Sequence, residues 1–225
     1  MVFLTGDTHG LIDIQKVRDF FADKTTLTKN DYLIILGDCG CCWSLDENDE
    51  NTKNELSKLP VTVLFIDGNH ENHNYLDSLE VKEWNGGKVH FIRNDIIHLM
   101  RGQVFNIDNK SFFTFGGAFS VDKMYREEGI SYWKRELPSK EELEAGVLNL
   151  IKNNSKIDYV LTHTCPNSII LNLIPVEMGE DKYLTKYLSR IAEYITFKDW
   201  YFGHFHKDVD IDNYHCLYDR VIKLD

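Results

Sequence analysis

The chain has 225 residues, 43% hydrophobic and 27% charged, with a net charge of −11. This suits one large or two small globular domains that bury a core without disulfides, and the negative charge excludes a duplex DNA binder that works by neutralising phosphates. No apolar run approaches the roughly 20 residues of a membrane helix, and the polar motif from Gly6 onward leaves no room for a signal peptide, so a cytoplasmic location with no membrane partner is expected.

Val2–Thr5 reads as a short strand that ends in GDTHG. Residues 11–23 place Ile14, Val17, Phe20 and Phe21 at helical spacing. The continuous apolar runs 32–36 and 61–66 predict strands covered on both faces, and the polar stretch 48–58 between them predicts a helix. Strand, helix, strand, helix, strand is the order of an α/β fold with parallel strands. Residues 88–120 hold shorter β-rich segments broken by turn signals, with DNK at 108–110 as a hairpin loop, and predict antiparallel pairing. A polar stretch, 121–138, precedes a helix at 139–152, with Leu143, Val147, Leu150 and Ile151 on one face. A strand at 158–162 follows, then a helix at 182–195 with Leu184, Leu188, Ile191 and Ile195 on one face. Asp199–Phe202 leads into GHFH, and Val209–Ile211 and Val221–Leu224 close the chain as strands. No linker or repeat divides these elements, so residues 1–225 are expected to form one domain of two packed sheets with helices outside.

Metal-type donors follow the buried strands. Asp7 and His9 come after the first, Asp38 after the second, Asn69 and His70 after the third, His163 and then His204 and His206 after later ones. Ligands in α/β sheets bind beyond the carboxyl ends of the strands. In DTH and in GHFH, residues i and i+2 on an extended strand end point the same way and can grip one ion. Glycines 6, 37, 68 and 203 precede these segments, where the backbone must turn or approach closely. Seven donors (Asp7, His9, Asp38, Asn69, His163, His204 and His206) exceed one ion's set and suit two ions that share a carboxylate.

The series GDTHG (6–10), GDCG (37–40), GNHE (68–71), HTCP (163–166) and GHFH (203–206) resembles the calcineurin-like metallophosphoesterase superfamily, with its five blocks in order over nearly the whole chain. The resemblance implies an α/β fold, a four-layer αββα sandwich of two mixed sheets flanked by helices. It implies that Asp7, His9 and His206 hold one divalent ion, that Asn69, His163 and His204 hold the other, and that Asp38 bridges them. It makes His70 the catalytic non-ligand histidine, which with Asn69 meets the substrate. It also implies in-line attack on phosphorus by a metal-bridging hydroxide. Mixed His and carboxylate donors suit Mn²⁺ first, with Fe or Zn²⁺ as alternatives. The expected substrate is a small-molecule or nucleotide-like phosphomonoester or phosphodiester, turned over by a monomer or homodimer. A nuclease on short or single-stranded nucleic acid, or a non-catalytic metal-binding scaffold, are the alternatives.

Two departures bear on the substrate. The protein serine/threonine phosphatase branch carries Asp and Arg where this chain has Cys41 and Cys42, and an arginine where this chain has Asp67. The resemblance is therefore to the compact bacterial and phage-type members, in which segments similar to FGGAFSVDKMYR (115–126) occur. That loop is expected to lie over the metals, with Arg126 supplying the phosphate grip that residue 42 lacks. The odd cysteine count and unpaired spacing indicate thiols rather than disulfides, and thiols near a metal site would make the enzyme sensitive to oxidation. His73 is expected on a helix surface, and His90, His98 and His215 are read as structural. The stretch 174–186 is expected to shape a substrate cleft or a dimer contact.

Overall fold

A computed structural model describes residues 1–174 and 182–224 of the chain. In chain order the elements are β1 (Val2–Thr5), α1 (Gln15–Phe21), β2 (Tyr32–Ile35), α2 (Glu47–Ser57), β3 (Thr62–Phe65), α3 (His73–Ser78), β4 (Val81–Trp84), β5 (Gly87–Arg93), β6 (Ile96–Leu99), β7 (Gln103–Ile107) and β8 (Lys110–Phe115). After two 3-10 turns, Lys123–Tyr125 and Lys134–Glu136, come α4 (Lys140–Lys152), β9 (Tyr159–Thr162), α5 (Asn167–Leu173), α6 (Lys182–Tyr194), β10 (Asp199–Phe202), β11 (Val209–Ile211), β12 (Tyr214–Cys216) and β13 (Val221–Leu224).

The strands form two mixed sheets. One runs β13-β1-β2-β3-β6-β5-β4 and the other β11-β12-β10-β9-β8-β7. In the first, β1, β2, β3 and β6 are parallel; in the second, β8, β9, β10 and β12 are. The antiparallel pairing expected in the middle of the chain is confined to β4-β5-β6 and β7-β8. Alternate residues of each strand go to different layers. Val2, Leu4, Ile34, Leu36 and Leu64 meet Phe105, Phe112, Tyr159 and Leu161 between the sheets. Phe3, Leu33, Ile35 and Val63 face Ile14, Val17, Phe21 and Leu56 of the helical layer on the first sheet. Phe113, Val160, Trp200 and Phe202 face Leu150, Ile170, Leu184 and Leu188 on the other. Both faces of the central strands are covered, which is why those strands read as unbroken apolar runs. The result is the four-layer sandwich that the resemblance implied.

Four elements carry no clear period in the sequence. Strand β4 is an edge strand with three exposed residues, β12 has only three residues, α3 has six, and α5 buries Ile169, Ile170 and Leu173 in seven. Two expectations need correction. His73 is not on a helix surface: it is 3% exposed, because the first turn of α3 packs inward toward Asp67. Helix α4 buries Leu150 and Gly146, while Val147 and Ile151 are exposed at 40% and 60%. A Ser139–Glu142 capping box starts that helix. Of the stretch 174–186, residues 175–181 lie outside the described residues. Among the described residues no helix is long and apolar enough to cross a membrane.

Candidate metal centre

Parallel pairing aligns Thr5 with Ile35 and Ile35 with Phe65, so β1, β2 and β3 end together and release Asp7, Asp38 and Asn69 at one sheet edge. In the other sheet Phe202 aligns with Thr162, so His163 and the GHFH segment leave at a common edge. The two edges touch: the Nδ1 of His163 donates to the carbonyl of Leu36 at 2.7 Å. That bond turns Nε2 of His163 toward Asp38, 3.4 Å from its Oδ1. Likewise His9 Nδ1 is 2.7 Å from Asp13 Oδ2, which turns its Nε2 toward Asp38 Oδ2 at 3.5 Å and Asp7 Oδ2 at 3.9 Å. Outer partners of this kind set the tautomer and aim of a ligating imidazole.

Asp7, His9 and His206 offer donor atoms that all lie within 4.8 Å of one another, as do Asp7, Asp38 and His163. Asn69 Oδ1 sits 3.2 Å from His163 Nε2 and joins the second group. His204 stands apart from both groups. Its backbone N–H donates to Asp7 Oδ1 at 3.0 Å, and its ring packs edge-on to His163 at 5.0 Å. The geometry thus brings Asp7, closer than the sequence suggested, to the junction of the two groups.

Four of the seven donor residues hold left-handed backbone: His9, Asp38, His204 and His206, with φ of 43°, 49°, 68° and 49°. Non-glycine residues in that region are costly and cluster at functional sites. Space is equally constrained. A Cβ on Gly68 would stand 2.0 Å from Asp38 Oδ1, and one on Gly203 would stand 2.2 Å from Asp7 Oδ1. The close approach expected of these two glycines is toward the carboxylates themselves.

The electrostatics demand positive charge. Asp7 and Asp38 are both buried. Burial pushes the Asp38 carboxyl up, but the charge of His163 and hydrogen bonds from His163 and His9 hold it well below the usual range. In return, the carboxylates overcome the burial of His163 and raise it to about 10, and raise His9 to about 9. Asp7 Oδ2 is buried without a hydrogen bond, although His206 Nε2 is 3.1 Å away. An orphaned carboxylate oxygen among imidazoles fits a divalent cation. Burial and the charge of His163 lower His204 to about 4, which leaves that ring a neutral donor.

His70 lies beside this cluster. Its backbone N–H donates to Asp38 Oδ1 at 2.7 Å. Its ring stacks on Trp43 at 5.2 Å, and the Arg126 guanidinium reaches it at 3.1 Å. Arg126 is braced by Asp122 at 2.8 Å and by the Ser131 carbonyl at 3.1 Å. The loop after β8 brings Arg126 to the His70 ring, beside Trp43. Two buried groups behind the site escaped the sequence. Glu71 accepts from the N–H groups of Cys39 and Gly68 at 2.7 and 2.5 Å, tying the Asp38 and Asn69 loops together. Glu136 anchors Ser120. Glu71 stands inside the GNHE block, which was a usable signal; Glu136 had none.

The cysteines are not ligands. All five are buried, and none is in a disulfide. The thiols of Cys41 and Cys42 touch at 3.7 Å. Contact with Cys39 and burial push Cys41 well up, and contact with Cys41 and burial do the same to Cys42. Reactive thiols are exposed and of low pKa, so the expectation of oxidation sensitivity has no geometric support. A thiol reagent such as DTNB is expected to label none of the five in the native protein and all five after unfolding. Labelling of Cys41 or Cys42 at native rates comparable to free cysteine would refute this.

The sequence matches the calcineurin-like phosphoesterases over residues 1–208. A 122-residue stretch is 31% identical to a lariat debranching enzyme of Schizosaccharomyces pombe; it covers 53% of this chain but only 25% of that relative's length. Superposition on the crystal structure of a phosphopantetheinyl hydrolase from Mycobacterium tuberculosis covers 96% of this chain and 87% of the other, with a TM-score of 0.49 and 14% identity.

Proposed function

The chain belongs to the calcineurin-like phosphoesterase family, whose members use divalent metal ions, and from that premise we propose that residues 1–225 act as one dinuclear phosphoesterase on a small phosphomonoester or phosphodiester. The observation that carries it is the buried Asp7–Asp38 pair, ringed by His9, His163 and His206 with one carboxylate oxygen left without a hydrogen bond. Asp7, His9 and His206 would hold one ion, and Asn69, His163 and His204 the other. Asp38 would serve both. Bound ions supply Lewis acidity and a water that deprotonates near neutral pH; the oxygen-and-imidazole donor set suits Mn²⁺ above softer ions.

The chain's own residues do the rest. Arg126 holds two N–H groups toward the face of His70, where a bidentate guanidinium grips phosphoryl oxygens. Burial, together with Arg126, lowers His70 below its ordinary value. The ring would take up a proton as the anionic substrate binds beside it and then return that proton to the leaving oxygen.

A cleft of about 440 Å³ opens beside His9 and His70, lined by Leu11, Ile12 and Trp43 with Ser44, Asn48 and Thr52. No Lys or Arg lines it, and Asp49 does. A second phosphate would be repelled there, so the ester arm is uncharged and partly apolar. The relative's name favours a second reading, a nuclease; the same lining opposes it, since strand binding relies on cationic grooves.

The test is hydrolysis of p-nitrophenyl phosphate and bis-p-nitrophenyl phosphate with Mn²⁺, beside a short single-stranded oligonucleotide. Turnover of the aryl esters and not the oligonucleotide is expected. Trp43→Ala should raise KM for the aryl esters about three- to tenfold, since aromatic contacts are worth about 0.5–1.5 kcal/mol, and should affect methyl phosphate less. No turnover of either aryl ester under several metals would point to the scaffold, and a preference for the oligonucleotide to the nuclease.

A further inference from the structure

Asn69 is 4% exposed, and its amide faces two different neighbours. Oδ1 lies 3.2 Å from His163 Nε2, among the metal donors, and Nδ2 donates to Ser120 Oγ at 3.2 Å. An amide has nearly the same shape either way round. Only the oxygen can serve a cation, so something must set which end points inward.

Ser120 reads that choice out. Its backbone N–H donates to Glu136 Oε1 at 3.1 Å and its hydroxyl donates to Glu136 Oε2 at 2.7 Å. An ionised carboxylate only accepts. The one hydroxyl proton of Ser120 is therefore committed to Glu136, and only a lone pair is left toward Asn69. A lone pair requires an N–H, so Nδ2 turns to Ser120 and Oδ1 to the metal donors.

We propose that Glu136 is a positioning residue that sets the amide orientation of Asn69 through Ser120. The inference rests on the metal reading proposed above. Glu136 touches none of the metal donors, and it is 2% exposed. Its own position is fixed from behind: its carbonyl accepts from Arg101 Nη2 at 3.1 Å, and Gly117 passes so close that a Cβ there would stand 2.5 Å from that carbonyl. The double glycine at 116–117 thus lets the loop lay Ser120 between a buried acid and a buried amide.

The isosteric variant Glu136→Gln reverses the relay without changing its shape. The introduced amide must keep its oxygen on the Ser120 N–H, so its NH₂ faces the hydroxyl and donates to it. The hydroxyl proton is then released from residue 136 and competes for Asn69, which accepts it by turning Oδ1 outward and Nδ2 toward the metal.

The experiment is Mn²⁺ titration by calorimetry at pH 8, because burial raises the Glu136 carboxyl above its ordinary range and alkaline pH favours its ionised form. Wild type is expected to take up two ions. Glu136→Gln should weaken the second about 10- to 100-fold, the usual effect of an outer-shell change, with the melting temperature in EDTA unchanged. Ser120→Ala deletes one hydroxyl, keeps the test open if Glu136→Gln fails to fold, and should weaken the same ion severalfold. The double variant should match Ser120→Ala, because Glu136 then has nothing to act through. Wild-type affinity in Glu136→Gln or in Ser120→Ala, or additive losses in the double variant, overturns the relay. A wild type that takes up no Mn²⁺ overturns the metal reading itself, which separates the two failures.

Discussion

Asp38→Asn is expected to lower turnover at saturating Mn²⁺ by about a thousandfold, roughly 4 kcal/mol of transition-state stabilisation. The two oxygens of Asp38 face different partners. Oδ2 lies 3.5 Å from His9 Nε2, on the side of the Asp7–His9–His206 group, and Oδ1 lies 3.4 Å from His163 Nε2, on the other. Asparagine keeps one oxygen and turns an N–H₂ toward one of the two groups, so one of the proposed ions would lose a ligand whichever way the amide settles. Oδ1 also accepts the backbone N–H of His70 at 2.7 Å, which favours keeping the oxygen there and placing the nitrogen toward His9. A second readout separates metal loss from a local misfold. Metal at 100 times its dissociation constant stabilises a protein by about 2.7 kcal/mol. Wild type should show that Mn²⁺-dependent rise in melting temperature, and Asp38→Asn should lose most of it. A variant that retains both turnover and metal-induced stabilisation would remove Asp38 from the centre.

Arg101→Ala is expected to cost about 3–5 kcal/mol of folding stability, measured by urea unfolding, the range found when one partner of a buried ion pair is removed. Arg101 is 5% exposed. Its Nε donates to Asp67 Oδ2 at 2.7 Å, and Nη2 lies 2.5 Å from the same oxygen. Nη2 also donates to the carbonyl of Arg135 at 2.9 Å. Burial alone would push the Asp67 carboxyl up; Arg101 and His98 hold it well below the usual range. Truncating Arg101 leaves that carboxylate buried with His98 Nε2 at 3.2 Å as its remaining hydrogen-bond partner, and leaves the backbone carbonyls of two residues unpaired. Asp67→Ala combined with Arg101→Ala should cost clearly less than the sum of the single changes, because the pair shares one interaction. A loss below about 1 kcal/mol for Arg101→Ala would show that the pair contributes little. Asp67 directly precedes Gly68, Asn69 and His70, so activity should fall along with stability.

Those two residues mark the border between what the chain's pattern shows and what it hides. Asp38 was legible because its signal is local: a buried strand, a glycine, then a carboxylate, one of five strand ends in order that release an Asp, Asn or His. Local periodicity likewise marked β1, β2, β3, β9 and β10 and most helices, since each buries a face or both. Asp67 was legible only as a departure from a related branch. Its partner Arg101 is 34 residues away and stands on no motif. The same holds for Asp13 behind His9 and Glu136 behind Ser120: each is a common acid with nothing in its neighbourhood to distinguish it from a solvated one. His73 was misread for the same reason, because a six-residue helix is too short for its buried face to show.

GDCG, with its three nearby cysteines, shows the division in one segment. The identity of the donors and their place after strands follow from residue type and spacing, because parallel strands deliver their ends to one edge. The fate of Cys39, Cys41 and Cys42 followed from packing: all three are fully buried in the layer between the first sheet and its helices. Which oxygen of Asp38 meets which imidazole, which end of Asn69 faces inward, and whether Arg126 reaches His70 were settled by contacts between residues 29 to 125 positions apart. Such contacts depend on how two sheets close on each other, and no stretch of the chain carries that distance in its own composition.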